Sequence, residues 1–76
     1  MKQVLEILHN IRPEFDFSQS SDFIEDGMLD SMDVITLVSD LDNAFQISIE
    51  GVDILPENFA SLEAICALLH RYGVAA

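Results

Sequence analysis

The chain has 76 residues, of which 50% are hydrophobic, a larger share than a disordered acidic tail contains. A domain of this length buries only about 60% of its unfolded surface around one small core, which disfavours an enzyme with a deep substrate pocket of its own. Fourteen Asp and Glu against three Lys and Arg give a formal charge of −11, which disfavours nucleic acid and anionic membranes as partners. The same charge favours partner proteins with a basic surface.

The cysteine content and the N-terminal residues indicate a compartment. The single cysteine, Cys66, cannot form a disulfide within the chain, which fits a reducing cytoplasm. The N-terminal stretch places Glu6 and His9 among its apolar residues and lacks a small-residue cleavage site, and no run of about 18 apolar residues occurs. We therefore expect one cytoplasmic, monomeric domain over residues 1–76, without export or membrane insertion.

The first predicted element is a helix over roughly residues 2–12. Pro13 ends it, because the residue before a proline avoids the α region. A loop of about 17 residues follows, and connections of that length in compact domains tend to be functional. The apolar positions that define the helix are Val4, Ile7, Leu8 and Ile11, and the expected loop anchors are Phe15, Phe17 and Phe23.

The second predicted helix has the best-defined start in the chain. Asp30 is a good N-cap and Asp33 lies at the N3 position, so the two form a capping-box-like pair at the positive end of the helix dipole. One face is predicted to be buried and the other to be acidic and open. The buried stripe comprises Val34, Leu37, Val38, Leu41 and Phe45, and the open arc comprises Met32, Asp33, Thr36, Asp40 and Asn43.

The remaining elements complete a helical bundle. Residues 46–49 alternate like a short extended segment, a brief helical turn is expected within 52–59, and a last helix begins after its N-cap Ser61 and ends near Arg71 and Gly73. The sequence thus predicts an all-α fold, a small four-helix bundle with three main helices and one short helix. Its expected interior is Val4, Leu5, Leu8, Phe23, Leu37, Val38, Leu41, Phe45, Ile47, Ile65 and Leu69.

Ser31 is the residue with the clearest chemical potential. As the first helical residue after the cap, its hydroxyl lies near backbone N–H groups that lack helical partners, and this end of a helix favours a phosphate. Ser31 therefore either bears a phosphodiester or simply follows a capped helix start, where serines are common.

The residues around Ser31 resemble those of the carrier-protein family, which comprises acyl carrier proteins and their peptidyl and D-alanyl relatives. The resemblance runs from about residue 23 to residue 69. Members of this family are small acidic four-helix bundles in which a serine in an Asp-Ser-Leu or Asp-Ser-Met motif accepts 4′-phosphopantetheine. The matching residues are Gly27, Leu29, Asp30, Ser31 and Met32, then Leu37, Val38, Leu41 and Phe45, then Ile47 and Ile49.

The resemblance implies a non-catalytic carrier. A phosphopantetheinyl transferase would move 4′-phosphopantetheine from coenzyme A onto Ser31, and the thiol of that arm would carry acyl or aminoacyl groups as thioesters. The implied setting is fatty acid, polyketide or nonribosomal peptide biosynthesis, with loading and downstream enzymes that have basic docking surfaces. The family's partner-facing positions correspond to Asp30, Met32, Asp33, Ile35, Thr36, Ser39 and Asp40.

Met32 and Ile35 are expected to differ in exposure, and Met32 and Thr36 depart from the residues usual in the family. Met32 points away from the apolar stripe and is expected to be an exposed contact, whereas Ile35, on the flank of the stripe, is expected to be core. Thr36 stands where many fatty-acid and D-alanyl carriers have Glu, and Met32 replaces the usual Leu of fatty-acid carriers. These departures put the usual fatty-acid partners in doubt. The Leu-Asp-Ser-Met wording at residues 29–32 and the stub at residues 56–59 are more similar to stand-alone aminoacyl or D-alanyl carriers.

Other functions remain open from the residues alone. An EF-hand-like calcium site matches part of its loop pattern at Asp22, Asp26, Gly27, Asp30 and Asp33 but has Ile24 at a ligand position. Serine catalysis by Ser31 with His9 or His70 lacks a Gly-x-Ser-x-Gly turn, and Cys66 reads as a buried small hydrophobe. An unmodified acidic adaptor domain would keep the fold and the surface without needing the Ser31 hydroxyl. We expect no metal site.

Overall fold

The structure, a computed structural model, describes residues 2–74 and contains three α-helices and no strand in that range. The helices are α1 (Lys2–Ile11), α2 (Ser31–Phe45) and α3 (Leu62–Arg71). Short 3₁₀ turns lie at Phe17–Gln19, Gly51–Asp53 and Pro56–Asn58. The predicted all-α fold with three main helices is confirmed.

The short helix expected within residues 52–59 is present as two separate 3₁₀ turns. Leu55 lies between them in an extended conformation (φ −118°, ψ 141°). Pro56 explains this, because a proline ring disfavours the α region for the residue before it. Pro56 itself occupies the start of the second turn, where its missing N–H has no helical partner to lose.

The ends of α1 and α2 show how local chemistry sets the helix bounds. α1 ends at Ile11, one residue before the predicted end, and the N–H of Arg12 donates a last helical hydrogen bond to the carbonyl of Leu8. α2 ends at Phe45, and its C-cap, Gln46, has a left-handed backbone (φ 57°, ψ 48°). The Asp42 carboxylate then accepts the Ile49 N–H at 3.0 Å, which turns the chain back toward the core.

The core draws residues from all three helices and from the segments between them. Most of the predicted interior is fully buried, but Leu5, Phe45 and Ile47 are half-buried at its margin, and so is Cys66. Val34 of the predicted α2 stripe and the expected loop anchor Phe17 are also buried. The buried residues that the sequence did not predict are Met28, Leu29, Ile49, Phe59 and Leu68. Many of these lie in irregular segments, where no periodic pattern reports burial.

The long connection between α1 and α2 is anchored by aromatic side chains. The ring centroids of Phe17 and Phe23 lie 4.9 Å apart in an edge-to-face arrangement, and Phe15 is half-buried beside them. The Phe23 N–H donates to the Ala60 carbonyl, and the Phe23 carbonyl accepts from Met28 and Leu29. These bonds hold the end of the connection in place, directly before α2.

Side-chain hydrogen bonds stabilise both ends of α3. The Ser61 hydroxyl accepts the Ala64 N–H at 3.0 Å, which confirms the predicted N-cap. At the other end the Tyr72 hydroxyl donates to the Asp53 carboxylate and accepts the Glu50 N–H, and the hydrogen bond to Asp53 raises the pKa of Tyr72. These two hydrogen bonds join the end of α3 to the 3₁₀ turn at Gly51–Asp53.

The substitution Leu41→Ala tests the position of the core. Leu41 is fully buried, so we expect its truncation to lower the free energy of unfolding by about 2–5 kcal/mol, measured by urea denaturation. The matched change Met32→Ala on the exposed side of the same helix should alter stability by less than about 0.5 kcal/mol. Equal effects of the two changes would contradict the assignment of the buried face.

Candidate functional site

The start of α2 is closed by a reciprocal capping box. The Asp30 Oδ1 atom accepts the Asp33 N–H at 2.9 Å, and the Asp33 Oδ2 atom accepts the Asp30 N–H at 3.2 Å. Asp30 is extended (φ −108°, ψ −176°), as a helix N-cap should be. The predicted helix start and the predicted pairing of these two acids are confirmed.

Apolar residues on both sides of the cap hold it against the core. Leu29 precedes the cap and Val34 is the fourth residue of the helix, the two positions of a hydrophobic staple, and both are buried in the core. Met28 is buried as well, so the chain enters α2 from an anchored segment. The residues between Leu29 and Val34 are therefore presented at the surface by a fixed backbone.

Ser31 is the first residue of α2 and is exposed. Among the hydrogen bonds within residues 2–74, none involves its hydroxyl. The side chain lies at the positive end of a 15-residue helix, where a negatively charged group is stabilised. Ser31 thus presents a free hydroxyl at a position that suits a phosphate ester.

Arg12 is the residue at this site that the sequence pattern did not reveal. Its guanidinium lies 2.8 Å from Asp33 Oδ2, 3.4 Å from Asp30 Oδ2 and 3.4 Å from Glu14 Oε2. The hydrogen bond and charge of Asp33 raise the pKa of Arg12. The only sequence signal for its role is that Arg12 is the last cation before a long stretch rich in Asp and Glu. Because Arg12 and Asp30 are 18 positions apart, the sequence gives no indication that they are in contact.

The predicted partner-facing residues lie along the first half of α2 with different exposures. Met32 is 68% exposed, as expected, whereas the expectation that Ile35 belongs to the core is wrong, because it is 58% exposed. Ile35 is not part of the hydrophobic core to which α1 and the buried stripe of α2 contribute. Of the others, Asp30, Thr36 and Ser39 are exposed, and Asp33 and Asp40 are half-buried.

The acids of the calcium-loop pattern are engaged in separate contacts. Asp22 accepts the N–H groups of Ile24 and Glu25, and Asp26 accepts the hydroxyl of Ser20. Nowhere in residues 2–74 do three His, Cys, Asp or Glu side chains form a group that could hold a metal ion. In the same range no hydrogen bond joins Ser31 to His9 or His70, which are both exposed.

No helix within residues 2–74 is both long enough and apolar enough to cross a bilayer.

The comparison with family models agrees with the fold and with the geometry at the start of α2. The model of the phosphopantetheine attachment site matches residues 2–69. The chain therefore belongs to this family, whose domains bear 4′-phosphopantetheine covalently, act as carriers and are generally non-catalytic. The searches of curated proteins and of solved structures gave no match.

The pKa of Asp30 makes the stability of the cap depend on pH. The hydrogen bond from the Asp33 N–H lowers this pKa, partial burial opposes the shift, and the charge of Arg12 adds to it. The folded pKa therefore lies below the unfolded value of about 4. The stabilisation is complete above that value and is lost as the pH falls through the folded pKa.

The substitution Asp30→Asn tests this dependence, because Asn still caps a helix but carries no charge. We expect the loss of stability between about pH 5 and pH 2 to be shallower in Asp30→Asn than in the wild type, measured by thermal unfolding across that range. Glu57→Gln, which neutralises an exposed side chain away from the cap, controls for the altered net charge. Identical pH profiles for Asp30→Asn and the wild type would contradict the role of the charge.

Proposed function

We propose that Ser31 Oγ is the atom to which 4′-phosphopantetheine is attached, and that the protein carries acyl or aminoacyl groups between enzymes. The observation that carries this proposal is the exposed, unengaged Ser31 hydroxyl at the start of a capped helix, in a chain of the phosphopantetheine attachment family. Ser18, by contrast, has its hydroxyl bonded to Asp16, and Ser20 has its hydroxyl bonded to Asp26.

The residues at the start of α2 fit the proposed group. The phosphodiester would lie at the positive end of the α2 dipole, and the nearby Arg12 cation would partly offset the charge of the surrounding acids. The capping box holds the backbone of residues 30–33, so that the attachment point does not depend on a mobile loop. Exposure of Ser31 leaves its hydroxyl accessible to a transferase.

The modification is a transfer of one group. The Ser31 Oγ atom forms a bond to the phosphorus of coenzyme A that carries the pantetheine, the bond from that phosphorus to the 3′,5′-ADP moiety breaks, and 3′,5′-ADP leaves. The hydroxyl proton passes to a base of the transferase. When bound, the group supplies a terminal thiol that holds the cargo as a thioester. A reducing compartment such as the expected cytoplasm keeps that thiol free.

In this function the protein supplies an attachment point and a docking surface. Tethering raises the effective concentration of the cargo at each partner's active site, so docking can remain weak enough for rapid exchange. Its partners are a phosphopantetheinyl transferase and loading and downstream enzymes with basic surfaces, which the charge of −11 attracts from a distance. The docking residues proposed on α2 are Asp30, Met32, Asp33, Ile35, Thr36, Ser39 and Asp40.

The departures at Met32 and Thr36 bear on the pathway. In place of Glu, Thr36 offers an exposed side chain whose hydroxyl donates to the Met32 carbonyl at 3.2 Å, so this position adds no charge to the face. A partner that requires a carboxylate there would dock poorly. This favours a stand-alone carrier of aminoacyl or related groups over a carrier for the usual fatty-acid enzymes.

The substitution Ser31→Ala tests the attachment atom. We expect wild-type protein incubated with coenzyme A and a broad-specificity phosphopantetheinyl transferase to gain the mass of one phosphopantetheine group, and Ser31→Ala to gain nothing, as measured by intact-mass spectrometry. Ser48→Ala removes an exposed hydroxyl outside α2 and should be modified like the wild type. Circular dichroism verifies that each variant is folded.

Either of two results would contradict the proposal. The first is modification of Ser31→Ala, which would place the attachment at another residue. The second is wild-type protein that stays unmodified, both with the transferase and when isolated from its own cells. That outcome would favour the unmodified adaptor, whose activity would survive the loss of the Ser31 hydroxyl.

A further inference from the structure

We propose, resting on the proposed function, that Arg12 determines which kind of partner surface α2 accepts. Arg12 pairs within the chain with Asp33 and Asp30, the two acids that flank Ser31. Arg12 therefore partly offsets the charge of these two carboxylates, so that the uncharged residues of α2 supply a larger part of the surface that a partner meets. Met32, Ile35, Thr36 and Ser39 are called the neutral strip below.

The contacts of Asp33 show that this carboxylate is already occupied. Its side chain is only 14% exposed, it accepts the Arg12 Nε–H at 2.8 Å and it also accepts the Asp30 N–H in the capping box. A partner's Lys or Arg could reach it only by displacing Arg12 from a charge-assisted hydrogen bond. Asp33 therefore contributes its charge to docking only where a partner displaces Arg12.

Asp30 is shared in a different way. Its side chain is 63% exposed, but one oxygen accepts the Asp33 N–H and the other lies 3.4 Å from the Arg12 guanidinium. Glu14 completes the surroundings of Arg12 at 3.4 Å. The single positive charge of Arg12 is thus shared among three carboxylates, and it lies closest to that of Asp33.

The neutral strip carries the exposed apolar area of α2. Met32 is 68% exposed and Ile35 is 58% exposed, and no charged residue occurs between Asp33 and Asp40. Because the strip begins next to Ser31, it is continuous with the attachment point. An enzyme that holds the Ser31 oxygen in its active site must cover Met32 and therefore the start of the strip.

The partner surface that fits this strip is a protein hollow lined by apolar side chains. A flexible thioether such as Met32 fills irregular apolar hollows, and a few buried side chains supply most of the binding energy of an interface. The remaining acids of the chain act at longer range, where they steer a basic partner toward the protein. Steering then depends on salt, whereas contact with the strip does not.

The experiment measures kcat/KM for phosphopantetheine transfer to Ser31 by a broad-specificity transferase, from about 0.01 M to about 1 M salt, over which the Debye length falls from about 30 Å to about 3 Å. Arg12→Gln frees both cap acids, so we expect a higher kcat/KM than wild type at low salt, a steeper fall with salt, and convergence at high salt. Arg12→Lys keeps the cation and should restore the wild-type slope.

Arg71→Gln is the matched control, because it removes the same charge from an ion pair with Asp53 at the end of α3. It should leave the wild-type slope unchanged. Met32→Ala and Ile35→Ala should each lower kcat/KM about tenfold, equally at all salt concentrations. Arg12→Met, which keeps an apolar stem, is measured in parallel and should show the same steeper slope as Arg12→Gln.

The outcomes separate this inference from the proposed function. If kcat/KM falls equally steeply with salt in Arg12→Gln, Arg12→Met and Arg71→Gln, the proposed role of Arg12 in docking is wrong. Arg12 would then only stabilise the fold. Undiminished kcat/KM in Met32→Ala and Ile35→Ala would overturn the role of the neutral strip. Both results leave Ser31 as the attachment residue, whereas wild-type protein that is never modified at Ser31 overturns the proposed function itself.

Discussion

The network of Asp30, Asp33 and Arg12 is the interaction on which the geometry of the site depends. The two acids satisfy N–H groups that would otherwise be unpaired at the start of α2, and the guanidinium joins that start to the end of α1. Without the cap the first turn of α2 would fray, and Ser31 would lie in a loop. The same contacts that define the helix start therefore also define where the exposed hydroxyl is presented.

Contacts elsewhere in the fold hold the start of α2 in place. Phe23 packs in the core and forms backbone hydrogen bonds with Ala60, Met28 and Leu29, so the segment before α2 is joined to the residues that precede α3. The half-buried Asp53, bonded to Tyr72, fastens α3 to the preceding turns in a similar way. A carrier gains from such rigidity, because a flexible phosphopantetheine arm can move while the backbone that bears it stays fixed.

The net charge of the protein and the local charge around Ser31 differ. The chain has a net charge of −11, yet the face of α2 beside Ser31 combines an internally paired acid, Asp33, with exposed Met32 and Ile35. Long-range attraction and short-range contact can thus be supplied by different residues. Such a division permits fast encounter with a basic partner without strong ion pairing at the start of α2.

Much of this followed from local chemistry: the helices, the N-caps Asp30 and Ser61, the helix stop at Pro13 and the exposed Met32 are consequences of spacing and of short-range hydrogen bonding. The family resemblance, carried by local residues, was confirmed, whereas the attachment at Ser31 remains a prediction. Only the tertiary structure decided that Phe59 and Leu68 enter the core, that Ile35 stays outside it, and that Arg12 reaches Asp33. The reason is physical: caps and turns depend on residues a few positions apart, whereas burial and ion pairing between distant residues depend on how the helices pack.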